Sequence, residues 1–241
     1  MSSDSVGDLL AVQDLDLAAD QLRHRRAHLA ERSRLAEINE QIASLGREVA
    51  AVQVQLDALS ARQSSLEAEL AATEQRAASV SNRLYGGQVN ASRELSAMAA
   101  ELDQLKARSS SFEDDILLLM EERDPLEVSA ARVGASLEAL GRDREEASAA
   151  LSQAEAVVDE ALADVVSRRE EAAAAVPPQL LETYEGLRAR LGGIGVARLV
   201  GNHCDGCHLT LSAVDLDRIR HRPDGEIFTC EQCSRILVPT R

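Results

Sequence analysis

Leu35, Ile38, Ile42, Leu45, Val49, Val52, Leu56 and Leu59 succeed one another at alternating steps of three and four. Gln63, Leu66, Leu70, Thr73, Ala77, Val80 and Leu84 continue the series. This spacing admits one kind of architecture, helices paired along a narrow apolar seam. A second series runs from Leu95 through Met98, Leu102, Leu105, Ser109, Phe112, Ile116, Leu119, Arg123, Leu126, Ala130 and Val133. It goes on through Leu137, Leu140, Arg144, Ala147, Leu151, Ala154, Val158, Ala161 and Val165. With two Phe, two Tyr and no Trp in 241 residues, an ordinary packed interior of this size is ruled out, and the apolar surface must be buried along the seam.

Between the two series stands Tyr85-Gly86-Gly87-Gln88-Val89-Asn90-Ala91-Ser92. The paired glycines break the first helix, and Asn90 or Ser92 can cap the next. A short loop between arms of similar length turns the second helix back along the first. At 1.5 Å per residue each arm would be about 110–120 Å long. Two irregularities are expected. The apolar positions Val12, Leu15, Ala19, Leu22 and Leu29 do not run in phase into Leu35, so the supercoil should adjust near residues 29–35. Pro125 removes a backbone donor and should kink the second arm near Asp124.

Val176-Pro177-Pro178 stops the long helix and starts a short one whose face is Leu180, Tyr184, Leu187 and Leu191; Gly192, Gly193 and Gly195 end it. That face should dock the C-terminal segment onto the base of the hairpin. The expected division is therefore residues 1–175 as the hairpin, with its tip at about 85–92, and residues 176–241 as a linker helix and a small C-terminal module.

The only cysteines lie in that module, as Cys204-Asp205-Gly206-Cys207 and Cys230-Glu231-Gln232-Cys233. A two-residue gap lets a tight turn aim both sulfurs at one ion. Two such knuckles about twenty residues apart make a tetrahedral four-thiolate shell for one structural Zn²⁺. A redox dithiol would instead be a single pair opening a helix after a strand. Two disulfides would need an exported protein, and residues 1–16 lack the pattern of a signal peptide. The location expected is a reducing cytoplasm, with no membrane span. Four thiolates also leave His203, His208 and His221 outside the shell. Short strands are expected at 196–200, 226–229 and 235–238, with a turn or short helix at 212–220. So small a module depends on its metal for folding.

The long hairpin with Leu84-Tyr85-Gly86-Gly87 and Arg93-Glu94-Leu95 at its tip, joined to a ribbon that exits through Cys233-Ser234-Arg235-Ile236-Leu237, resembles the bacterial C4-type zinc-ribbon coiled-coil family. The resemblance covers essentially the whole chain and implies a mainly α fold: a long antiparallel coiled-coil hairpin plus a small C-terminal β zinc ribbon. It departs at Ser234, where the family pattern expects glycine. It also implies a nucleic-acid-binding or adaptor role, some members serving bacteria as chaperones or scaffolds for export components and alternative transcription factors.

Charge separates those roles in part. A formal net charge of −15 opposes phosphate contact over most of the surface. Within 196–241 the six arginines are balanced by six carboxylates. The concentrated basic feature there is Arg218, Arg220 and Arg222, which Arg198 and Arg235 could join, with Phe228 either stacking on a base or packing between strands. At the tip, Tyr85, Gly86, Gly87, Asn90, Arg93 and Glu94 are either turn chemistry alone or an end-on docking point, and the exposure of Tyr85 decides between them. A closed metal shell, no phosphate loop and no nucleophile–base pair leave catalysis without a candidate residue. The reading is a non-enzymatic adaptor, monomeric or dimeric, that binds a protein or, alternatively, nucleic acid through the ribbon. No small-molecule substrate is expected.

Overall fold

The computed structural model describes residues 4–87, 91–221 and 227–239. In chain order these form α1 (Asp4–Ala27), α2 (Ala30–Tyr85), α3 (Ser92–Ala174), α4 (Pro178–Arg190), β1 (Val196–Val200), β2 (His203–Cys204), α5 (Ala213–Arg220), β3 (Phe228–Thr229) and β4 (Ile236–Pro239). They fall into two compact units, one of Leu35–Glu146 and one of Met1–Arg34 with Ala147–Arg241.

Within Leu35–Glu146, α2 and α3 run antiparallel. Arg76 reaches Glu101 at 2.6 Å, Arg108 approaches Glu69 at 3.8 Å, and Arg123 donates to the Gln63 side-chain oxygen at 3.1 Å, so numbers fall on one helix as they rise on the other. On α2 every seam position from Leu35 to Leu84 is buried or half-buried, and of the residues between them only Ser81 is not exposed. Near the tip Val80, Met98 and Leu102 form a small core with Ala77, Leu84 and Leu105. The seam holds because each residue is covered by the facing helix, not because any one site is deeply enclosed.

α3 keeps the expected pattern through Leu140 and departs from it twice beyond. Arg144 is exposed, and so is Ala161, while Leu162 is half-buried. After Val158 the seam takes a step of four, then three, to Leu162 and Val165, so the order of steps is the reverse of that expected. Leucine offers more area to bury than alanine, which makes the reversed order the better one. α3 runs unbroken through Pro125, where Arg123 donates to Glu127 at 2.7 Å as well as to Gln63.

The phase mismatch before Leu35 is resolved by ending a helix. α1 stops at Ala27 and α2 begins at Ala30, with the His28 N–H shared between the carbonyls of His24 and Arg25 at 3.1 Å each. Such a bifurcated bond is usual at a helix terminus. The break lets α1 turn a different face inward. Val6, Leu9 and Val12 are buried with Ala173, Leu180, Tyr184, Leu187, Val196 and Ile236 in the main core of their unit.

Pro177 and Pro178 act as expected. Pro177 precedes α4 and Pro178 is its first residue, where a missing N–H is harmless. The chain then enters a four-stranded sheet of order β2-β1-β4-β3, in which β1 and β4 are parallel and the outer pairs antiparallel. Alternation gives this sheet two apolar faces. Val196, Ile236 and Val238 point into the core shared with α1 and α4, whereas Ala197, Leu199 and Leu237 point into a second core with Cys204, Cys230 and Ile219.

Candidate metal centre

The two cysteine pairs sit at the ends of the outer strands and are built alike. In the first, the Cys204 N–H donates to the Leu209 carbonyl at 3.0 Å and the His208 N–H to the Cys204 carbonyl at 2.7 Å. In the second, the Cys230 N–H donates to the Arg235 carbonyl at 2.8 Å and the Ser234 N–H to the Cys230 carbonyl at 2.7 Å. The residue after each pair is left-handed, His208 at φ 60° and Ser234 at φ 62°. Glycine would be unstrained there, which explains the glycine expected at 234. Gly206 is required for another reason: a Cβ would lie 2.7 Å from the Arg235 side chain and 3.0 Å from that of Ala197.

These turns bring the four sulfurs within 4.8 Å of one another. Cys204 and Cys233 are 3.8 Å apart, as are Cys207 and Cys230. A tetrahedron with metal–sulfur bonds of about 2.3 Å has edges of about 3.8 Å, so these two edges match a zinc site and the remaining ones, within 4.8 Å, lie near it. Disulfides would require about 2.05 Å. Cys204 and Cys230 are buried and the other two half-buried. Burial pushes the Cys204 thiol up to about 12 and raises Cys230 as well. Burial acts the same way on Cys233, but hydrogen bonds from the Arg235 backbone and side chain outweigh it and bring that thiol down to about 7. His203 is half-buried, and His208 and His221 are exposed.

Arg235 also anchors the ribbon. Its guanidinium donates to the carbonyls of Ile194 at 3.1 Å and Leu191 at 3.2 Å, at the end of α4. Arg198 donates to Asp14 on α1 at 2.8 Å. Both are engaged within the protein, whereas Arg218 and Arg220 are exposed on the last turn of α5. Arg222 lies outside the described residues. Phe228 is half-buried and packs against the metal-side core. A cavity of about 280 Å³ beside it is lined by Ser212, Asp215, Arg218, Phe228 and Glu231, among others. Ser212 caps the start of α5, its hydroxyl accepting from the Asp215 N–H at 3.1 Å.

At the tip Tyr85 is 78% exposed. Gly87 has φ 71°, and a Cβ on Gly86 would lie 2.5 Å from the Asn82 carbonyl oxygen. Ala91 holds the cap position of α3, its carbonyl accepting from Glu94 and Leu95, so Ser92 is the first helical residue and not the cap. Arg93 and Glu94 are exposed; Asn90 lies outside the described residues.

Sequence reading missed a polar latch beside the metal centre. Gln13 on α1 donates to the Gly193 carbonyl at 3.0 Å and accepts from the Gly195 N–H at 2.8 Å. One turn on, Asp16 accepts from the Tyr184 hydroxyl at 2.7 Å and from Arg169 at 3.3 Å. Gln13 and Asp16 are buried. The available signal was two polar residues beside the apolar positions Val12 and Leu15.

Residues 12–192 match the family described as CT398-like coiled coil hairpin domain, and residues 203–237 match the C4-type zinc ribbon domain. Two curated Mycobacterium tuberculosis proteins, from different strains, are 32% identical over 125 residues, 52% of this chain and 51% of theirs. The chain thus spans about half the length of the curated relatives it matches. A solved Mycobacterium smegmatis structure is 27% identical with a TM-score of 0.87 over 99% of this chain and 100% of that one. CT398 from Chlamydia trachomatis is 20% identical with a TM-score of 0.77 over 98% of both chains. The HP0958 protein of Helicobacter pylori is 19% identical with a TM-score of 0.53 over 99% and 98%. The two lower identities speak for the fold alone.

Proposed function

The chain belongs to the CT398-like coiled-coil hairpin family, and from that premise we propose that it is a non-enzymatic adaptor that binds a protein partner. In this reading residues 1–175 present the docking surface and residues 176–241 form a ribbon around one structural zinc. Cys204, Cys207, Cys230 and Cys233 would hold the ion, which when bound contributes folding free energy to the ribbon. Four thiolates complete the coordination shell, leaving no position for a reacting water. Reduced thiols suit a cytoplasmic location, which this reading assigns to the protein. Among the described residues no helix is long and apolar enough to cross a membrane.

The observation that carries the reading is the exposure of Tyr85. Its neighbour Leu84 packs into the tip core, while the aromatic ring is left in solvent at a turn that two glycines constrain. Tyrosine, with tryptophan and arginine, is enriched among the residues that dominate binding at protein interfaces. Crosslinking in the native cell, with recovered material sorted into protein and nucleic acid, tests it. A protein recovered with the natural chain and lost with Tyr85→Ala, the zinc content being equal, is the expected result.

The nucleic-acid reading retains one supporting observation, the exposed pair Arg218 and Arg220 beside the ribbon cavity. It predicts RNA or DNA binding that weakens steeply with salt and is lost when Arg218, Arg220 and Arg222 are replaced. The engagement of Arg198 and Arg235 within the protein leaves fewer cations for that purpose, which favours the protein partner.

A further inference from the structure

On α3, Leu117, Met120 and Val128 are 57%, 46% and 70% exposed. Their spacing of three and then eight residues puts all three on one helix face. At 100° per residue that face is centred about 125° from the mean direction of the seam residues Ile116, Leu119, Arg123 and Leu126, so Leu117 and Val128 point away from α2 and Met120 stands at the edge nearest the seam; Leu118, 56% exposed, falls outside the stripe. The stripe spans about 16 Å, or three helical turns. α2 carries nothing comparable, since its exposed large apolar residues, Val54 and the terminal Tyr85, stand far apart. Single apolar residues on a surface are ordinary, whereas a stripe at seam spacing is a second seam without a partner.

The charges around it select the partner. Glu113, Asp114, Glu121 and Asp124 occupy the same face, all exposed, and none has an ion pair among the described residues. The one base in the stretch, Arg123, is taken by Glu127 and Gln63. A second copy of this chain laid symmetrically on the stripe would set these carboxylates against themselves. Nucleic acid and anionic lipid are repelled for the same reason. What remains is a helix with apolar residues on one side and Lys or Arg along its edges.

We infer that the outward face of α3 around Leu117, Met120 and Val128 is a docking strip for a basic amphipathic helix of a partner protein. It is separate from the tip and does not depend on the role given to Tyr85. The incoming helix would bury the three side chains in helix-on-helix packing while its cations meet the four carboxylates.

The test uses the zinc-loaded full chain and a synthetic helical peptide with leucines at this spacing and lysines along both edges. Comparison peptides exchange the lysines for glutamate or the leucines for glutamine, and titration calorimetry reads the affinities. The Leu117→Gln/Met120→Gln/Val128→Gln chain should bind the basic peptide about tenfold more weakly, and so should the Glu113→Gln/Glu121→Gln/Asp124→Asn chain. Glu40→Gln/Glu48→Gln/Glu74→Gln on α2 removes the same charge elsewhere and should leave affinity within about twofold. Tyr85→Ala should leave it unchanged. Helicity by circular dichroism checks that each variant is folded, which the exposure of every replaced side chain favours. Equal losses from the α2 and α3 carboxylate variants, or undiminished binding by the Gln-substituted stripe, would overturn the docking strip and leave only diffuse charge attraction.

Discussion

The hairpin of Leu35–Glu146 and the ribbon around the cysteines are held together in opposite ways. Along α2 nearly all seam residues are only half-buried, so stability is spread over many small and similar contributions. In the ribbon it is concentrated, since Cys204, Ile236 and Leu237 are fully buried and four sulfurs converge on one point. A distributed seam tolerates a defect. A convergent centre fails as a unit.

Removing the metal should give the largest contrast between them. Structural zinc contributes on the order of 10–16 kcal/mol in small ribbons, so a strong chelator, or Cys204→Ser, should abolish protection of residues 196–238 in hydrogen exchange. The circular dichroism signal of α2 and α3 should persist. If helicity falls in parallel, the hairpin depends on the metal as the ribbon does.

Acid should act on the same side of the comparison. Cys204 and Cys230 have raised thiol pKa values, so both carry protons at neutral pH in the metal-free protein and must lose them on loading. Binding then releases at least two protons. Zinc affinity should fall by at least about a hundredfold for each unit of pH lowered below neutrality, more as the Cys233 thiol also takes up its proton, measured by competition with a chromophoric chelator. The seam contains no such linkage.

Intermediate effects are expected at the latch. Gln13→Ala would strand the Gly195 N–H and the Gly193 carbonyl, and each orphaned buried group costs about 1–3 kcal/mol. Loss should appear first as faster exchange in β1. Leu56→Ala in the seam should cost less, about 1–2 kcal/mol, because a half-buried site loses less than an enclosed one; only amides within a few turns should exchange faster. Smallest is Ser234→Gly. Relief of the left-handed strain at φ 62° should tighten zinc binding by a few-fold, corresponding to about 1 kcal/mol.

Legibility followed the same division. The α2 seam could be read residue by residue, since a helix paired with its own continuation leaves burial to periodicity alone, and the zinc ligands followed from their spacing. Reading failed where burial depends on a third element. Arg144 was placed by carrying a repeat past Leu140, and Ala161 by carrying it into a stretch that α1 also meets, as the Arg26–Asp159 pair at 2.7 Å shows. His28 marks a break that only the different inward face of α1 explains. Gln13 and Asp16 resemble defects in an apolar stripe until Gly193, Gly195 and Tyr184, some 170 to 180 residues later, supply their partners. The parallel pairing of Val196 with Ile236 likewise joins segments that no local signal relates.

Val6, Leu9 and Val12 share a core with Val196, Ile236 and Val238. A ribosome delivers the first three well before Val196, Ile236 and Val238, so the inward face of α1 waits for its partners while the long hairpin is made, and its cover is completed only after α4 has joined it. A nascent chain stalled before Ile236 would leave that face only partly covered, by Leu180, Tyr184 and Leu187, and its full closure reports that translation has passed β4.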